Sequence, residues 1–245
     1  MKTFFEAVLD LIYPPKCIAC KVILPLNELP RFICDRCAAL FEPITTPICK
    51  KCGIPVETEV EKCASCFGKT LFFDSNRAAF IYDELIRDLM HEIKFRERKR
   101  YAVGIAKLWA RTYTKTNFPF EKENAVLVPL PMHPDKQKER GFNQSDILAS
   151  ELSIALNIPK ENALVRILDT PPQSGLHPKL RAENVSGVFE VCNNFKLGGK
   201  TFILIDDIYT TGASLNECAK TLKNAGANNV FSLTFAITEK NRDKT

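Results

Sequence analysis

Two carboxylates in series, Asp206 and Asp207, are followed at once by Thr210, Thr211, Gly212, Ala213 and Ser214. An acidic pair repels phosphate and addresses hydroxyls or a hard cation such as Mg²⁺. The small, hydroxyl-bearing segment after it has the opposite preference. Where such a loop opens a helix, its N–H groups and the positive dipole end suit a phosphate. Gly212 lets the backbone come close, and three hydroxyls can donate to phosphate oxygens. A sugar phosphate satisfies both halves, with hydroxyls on Asp206 and Asp207 and the 5′-phosphate on residues 210–214.

The elements that must hold these residues are legible around them. Phe202, Ile203, Leu204 and Ile205 form an unbroken apolar run that predicts a strand buried on both faces of a parallel sheet and ending at the acids. Leu215, Cys218, Ala219 and Leu222 share one face of a helix that stops at Gly226. The acids then sit at the carboxyl end of a strand, where open α/β sheets bind ligands. Two rivals compete. A strand ending in Asp-Asp also fits the second motif of a nucleotide triphosphatase, which needs a G-x-x-x-x-G-K-[ST] loop between strand and helix. The nearest candidate, Gly199-Lys200-Thr201, has Asn194 at the first glycine position and leads into a strand. The other rival is ordinary turn chemistry between a strand and a helix.

Eight of the ten cysteines fall in four C-x-x-C pairs: Cys17/Cys20, Cys34/Cys37, Cys49/Cys52 and Cys63/Cys66. Two-residue spacing brings both thiolates of a knuckle to one tetrahedral ion at about 2.3 Å. Four knuckles predict two structural Cys₄ zinc sites. Consecutive pairing is the simplest arrangement; spacing alone also allows a crossed one. An iron–sulfur cluster would need more clustered spacing, and disulfides would need an oxidising compartment. Metal binding should supply the folding energy of this segment, which has little apolar bulk. Cys192 and Cys218 stand alone and are read as residues without chemistry.

The chain of 245 residues has 45% hydrophobic and 26% charged residues, enough for one large or two modest domains. A net charge of +5 permits anionic ligands without demonstrating nucleic-acid binding. No stretch approaches about 18 uninterrupted apolar residues, so no membrane insertion is expected. Glu6 and Asp10 interrupt the N-terminal apolar segment. A short docked helix with Phe4, Phe5, Val8, Leu9 and Ile12 on one face is therefore expected rather than a leader peptide, and a cytoplasmic location follows.

Between the cysteines and the acids, Phe72–Tyr82 reads as extended. Leu85, Ile86, Leu89, Met90 and Ile93 mark a helix from Asp83, and Ala106, Leu108, Trp109 and Ala110 mark a second to about Thr116. The run from Lys94 to Arg100 carries five cations in seven residues. It is either a solvated bend or an anion-binding edge for pyrophosphate or a nucleic-acid backbone. Ala125–Val128 predicts a second buried strand, leading into Pro129, Leu130, Pro131, Met132 and His133. The following stretch, Lys136 to Ser145, is polar and basic. Arg140 suits a phosphate, Gly141 offers a hinge, and the segment reads as a cationic lid. Arg181 and Asn184 are further candidates for the cleft. Val230–Ile237 predicts the last strand.

Residues 202–214 resemble the phosphoribosyl pyrophosphate (PRPP) signature of type I phosphoribosyltransferases. With the cysteine knuckles, Leu127–Pro134 plus Lys138–Gln144, and Arg181–Phe189, the pattern resembles the ComF family over nearly the whole chain. That resemblance implies an N-terminal helix and double zinc ribbon at 1–72. It implies a type I phosphoribosyltransferase-like α/β domain, a parallel sheet flanked by helices, at 73–245. It implies PRPP on Asp206, Asp207, Thr210, Thr211, Gly212, Ala213 and Ser214, with Mg²⁺ bridging the pyrophosphate and Asp207 relaying a proton. Pro131, Met132, His133, Arg140 and Lys94 would face the pyrophosphate. The family further implies natural transformation, with single-stranded DNA and a ComFA-type helicase as partners. Ser214 stands where such proteins often carry Thr, and Asp135 interrupts a stretch that is often purely basic. Two functions are therefore expected: a PRPP-binding phosphoribosyltransferase, or a non-catalytic adaptor for single-stranded DNA and a helicase that retains only the fold.

Overall fold

The computed structural model describes residues 14–25, 32–93, 99–113, 120–170, 183–193 and 195–239. Among the described residues, the strands are Asn76–Ile81 (β1), Ala125–Pro129 (β2), Leu164–Arg166 (β3), Phe189–Val191 (β4), Thr201–Tyr209 (β5) and Asn229–Ile237 (β6). The helices there are Asp35–Ala38 (α1), Glu84–Glu92 (α2), Lys99–Tyr113 (α3), Pro134–Arg140 (α4), Gln144–Leu156 (α5) and Ala213–Asn224 (α6). Four strands make one parallel sheet in the order β1-β6-β5-β2, and β3 and β4 form a separate antiparallel pair.

The apolar run on β5 explains why the sheet is covered twice. Alternate residues leave opposite faces of a strand. Ile203 and Ile205 pack with Leu127, Leu233 and Phe235 against the inner faces of α2, α3 and α5, where Leu89, Trp109 and Leu148 are fully buried. Phe202 and Leu204 pack with Val126, Val128 and Val230 on the other face, under Leu215, Cys218, Ala219 and Leu222 of α6. All four of those helical positions are buried, as their spacing predicts.

The second cysteine quartet belongs to that second core. Cys49, Cys52 and Cys66 are buried in the same cluster as Phe73, Phe202, Leu204 and Leu215. Asn76 at the start of β1 ties the knuckle down, its amide donating to Cys52 O at 2.9 Å and its backbone N–H to Lys51 O at 2.8 Å. The first quartet has only a small core of its own, Cys17, Leu24 and Cys37. It docks on α3 by seating Phe32 where a side chain at Gly104 would lie; a Cβ there would stand 2.1 Å from the Phe32 ring.

Two local expectations are corrected. β5 does not end at the acids. Pairing with β6 carries it to Tyr209, opposite Ile237, while β2 leaves it at the Pro129–Ile205 pair. Residues 134–140, read as part of a polar stretch before a helix, are themselves helix α4. His133 is the N-cap, Pro134 occupies the first turn, and Gly141 closes the helix at φ 83°, the arrangement that proline and glycine favour at helix ends. The expected helix within residues 1–12, Lys94 and the neighbouring cations to Arg98, and Arg181 lie outside the described residues.

Candidate functional site

β5 loses its β2 neighbour at Ile205 and keeps β6, so one edge of the strand opens as the acids begin. Asp206 and Asp207 are half-buried in that opening. Asp206 Oδ1 accepts the Asp207 N–H at 2.9 Å and the Ser145 hydroxyl at 3.1 Å. Asp207 Oδ1 accepts the Ile208 N–H at 2.7 Å. Burial raises the Asp206 carboxyl well above the usual range, and the Asp207 charge adds to it; the two hydrogen bonds oppose the shift. Ser145 is held in turn by Asn143, which caps α5 by accepting the Ser145 N–H at 3.1 Å and donates to Leu130 O at 2.9 Å. Ser145 was not singled out from the sequence. Its N-cap setting is visible there, but only the fold brings it across 61 residues to Asp206.

The loop after β5 enters α6 through Gly212, which has φ 74° and serves as a helix N-cap with no side-chain cap bond. Thr211 Oγ1 accepts the Ala213 N–H at 3.4 Å. No other residue fits at 212: a Cβ would stand 2.5 Å from the Tyr209 hydroxyl oxygen. The acids, the loop and the helix start are therefore consecutive on one strand–turn–helix, as predicted.

Pro131, Met132 and His133 follow the carboxyl end of β2 and are half-buried, where Leu130 N–H donates to Ile205 O at 3.0 Å. His133 Nδ1 accepts the Asp135 N–H at 3.4 Å. Arg140 is half-buried, and its side chain makes no ion pair or hydrogen bond with the described residues. Lys136 is already engaged by Asp169 and Thr170 O, both at 2.6 Å. Asn184 donates to Thr170 Oγ1 at 3.3 Å, so it braces the segment after β3.

The cysteines form two consecutive quartets, Cys17/Cys20/Cys34/Cys37 and Cys49/Cys52/Cys63/Cys66, each with its sulfurs within 4.8 Å of one another. This removes the crossed arrangement. A tetrahedral ion with bonds of about 2.3 Å requires sulfur–sulfur edges of about 3.8 Å. Cys20–Cys34 and Cys52–Cys63 both measure 3.7 Å. Backbone N–H groups of Cys34, Cys37 and Cys63 point at the sulfurs of Cys17, Cys34 and Cys49 at 3.4, 3.4 and 3.2 Å. Hydrogen bonds from Cys52, and further from Cys63 and Cys49, bring Cys66 down to about 6 against the effect of burial. The Cys66 thiolate and burial push Cys52 far up. Burial and the other three sulfurs push Cys37 up to about 12. Each quartet sheds a first proton readily and the last only against its own thiolates, an imbalance that a divalent cation removes. The residues fit zinc in closed, structural sites.

Comparison with known proteins gives the chain a family. A double zinc ribbon domain model matches residues 8–67. The competence protein ComFC of Bacillus subtilis is 30% identical over 202 residues, covering 79% of each chain. The chain belongs to the ComF family. Two other similar ComF relatives are competence protein F of Haemophilus influenzae, 28% identical over 222 residues (88% of this chain, 93% of that one), and the DNA utilization protein YhgH of Escherichia coli, 28% identical over 224 residues (89% and 94%). Among solved structures, the ComF chain is similar to glutamine PRPP amidotransferase from Bacillus subtilis, at 19% identity and a TM-score of 0.33 over 54% of this chain and 25% of that one. A likeness that loose adds nothing to the site geometry. Among the described residues, no helix is long and apolar enough to cross a membrane.

Proposed function

We propose that the chain binds PRPP at the open edge of β5 and acts as a phosphoribosyltransferase-family protein in DNA uptake. One observation carries this reading. A half-buried carboxylate pair and a glycine N-cap without a side-chain bond are set on consecutive residues of one strand, turn and helix. Asp206 and Asp207 would take the ribose hydroxyls, and residues 210–214 the 5′-phosphate. Pro131–His133 and the unengaged Arg140 would face the pyrophosphate, and Lys94 is proposed for the same role. Mg²⁺ would ride on the pyrophosphate, leaving the acids for the sugar. An acceptor nucleophile would displace pyrophosphate at C1 through an oxocarbenium-like state stabilised by positioning and fixed charge, with Asp207 relaying a proton. In calorimetric titration with PRPP and Mg²⁺, the wild-type chain should bind, and Asp206→Ala/Asp207→Ala should lose at least about 100-fold, since two hydrogen bonds to charged groups are worth about 1.5–3 kcal/mol each. Equal binding by both proteins would remove the reading.

A second reading, an adaptor for single-stranded DNA and a ComFA-type helicase, is favoured by one surface. Phe67 is 81% exposed on the second ribbon. Lys69 follows it two residues on in the chain. An exposed aromatic close in sequence to a cation is the pattern that stacks and neutralises a single strand. Filter binding should show retention of single-stranded DNA that weakens steeply with salt. Phe67→Ala should weaken it about 10-fold, within the range of one lost base stack. No retention at low salt would defeat the adaptor.

A further inference from the structure

The second ribbon reaches the proposed phosphate loop by two routes. The first is Tyr209, the last residue of β5. Its ring lies against Gly212, where any added Cβ would stand 2.5 Å from the hydroxyl oxygen and 2.6 Å from Cζ. The ring also meets Phe73 in an edge-type contact, with centroids 6.3 Å apart, and Lys51 of the ribbon sits 5.4 Å over the Phe73 ring. Tyr209 shares its core with Cys49, Cys52 and Cys66.

The second route is Asn216 in the first turn of α6. Its Oδ1 accepts the Phe72 N–H at 2.7 Å, and its Nδ2 donates to Thr70 O at 3.1 Å. Its own N–H donates to Gly212 O at 2.8 Å. One side chain thus clasps the strap that leaves Cys66, while its backbone closes the first turn on the loop glycine. Asn216 makes two side-chain bonds to a backbone segment 144 and 146 residues away, which ordinary helix packing does not require.

We infer that the second four-cysteine ribbon sets the geometry of residues 210–214, with Tyr209 and Asn216 as the positioning residues between metal site and loop. The inference rests on reading those residues as a pentose-phosphate site, and it gives the ribbon a task beyond holding its own fold. Binding linkage is reciprocal. A ribbon that shapes the loop must therefore be held more tightly when the loop is filled.

The test uses the full zinc-loaded chain and ribose 5-phosphate as probe. Transfer of zinc to a chelator is followed with and without saturating probe. Amide hydrogen exchange of residues 210–214 is measured on the wild type and on Asn216→Ala. Saturating probe should tighten the equilibrium hold of the second quartet on zinc against the chelator about 10-fold, inside the usual range of coupling between sites, and leave the first quartet's zinc unaffected. Asn216→Ala should retain two zinc ions, bind the probe about 10-fold more weakly, exchange faster at 210–214, and lose the protection of its second zinc. Tyr209→Phe, which keeps the ring under Gly212, should behave like the wild type. Zinc release indifferent to bound probe, together with unchanged exchange at 210–214 in Asn216→Ala, would overturn the inference. A wild-type chain that ignores ribose 5-phosphate would sink the pentose-phosphate reading instead. In that case faster exchange in Asn216→Ala would still uphold the coupling, and unchanged exchange would end it.

Discussion

Cys52→Ser should remove one zinc and most of the stability of the whole chain, whereas Cys20→Ser should remove one zinc and little else. Both substitutions break a four-thiolate site, and an intact site of this kind contributes about 10–16 kcal/mol at neutral pH. The consequences differ because the surroundings differ. Cys52 is buried among Phe73, Phe202, Leu204 and Leu215, so releasing its knuckle uncovers one face of the parallel sheet. A domain has only about 5–15 kcal/mol in hand, and the loss should leave Cys52→Ser unfolded or aggregated at 37 °C. Cys20 is exposed, in a ribbon whose own core is Cys17, Leu24 and Cys37. Metal analysis should fall from two zinc to one per chain, with the main melting transition kept. The check is zinc content with calorimetry on both variants; equal loss of Tm would mean that the second ribbon is not part of the core.

Asp206→Asn should make the empty protein more stable and the proposed ligand site nearly useless. Burial, and then the neighbouring Asp207 charge, raise the Asp206 carboxyl above its usual value. The sign follows directly. The unfolded chain titrates this group near 3.9. Between that pH and the higher folded value, the native state holds the extra proton. Stability therefore falls as pH rises through the window, and the full cost is present above it. The asparagine oxygen can still accept from Asp207 N–H and Ser145 Oγ, and no charge has to be buried. Tm of the variant should exceed the wild type at neutral pH, by about 2–4 °C for each kcal/mol recovered in a chain of this length. The gap should close as pH drops toward 4. PRPP affinity should drop about 10- to 100-fold, the worth of one hydrogen bond from a hydroxyl to a charged carboxylate. A variant less stable than the wild type at pH 7 would mean that Asp206 is not strained in the empty site.

What could be read in advance depended on whether a feature was local. Phe202–Ile205 announced a strand covered on both sides because four apolar residues in a row leave no polar face. The same logic could not extend the strand to Tyr209, since its last residues are held by β6 from far along the chain. The four cysteine pairs named their metal chemistry, but spacing could not decide between consecutive and crossed quartets; the fold did. Helix α4 had its signals, Pro134 and Gly141, yet its cations drew the eye to a lid. β3 and β4, of three residues each, are too short to show a period. Ser145, Tyr209 and Asn216 were invisible as site-shaping residues because each acts on a partner brought to it by the sheet or the ribbon.

The strand order has a consequence for how the molecule is made. β1 is among the first parts of the body to leave the ribosome, yet its partner in the sheet is β6, near the end. Asn76 and Ser232 are 156 residues apart, roughly 8–30 s of synthesis at about 5–20 residues per second. During that interval the second quartet is complete but lacks Phe202, Leu204 and Leu215, its later cover. A nascent chain must therefore acquire its ions while the thiols are still open to water, and scarcity of zinc at that moment would be felt in the yield of finished protein rather than in the performance of molecules already folded.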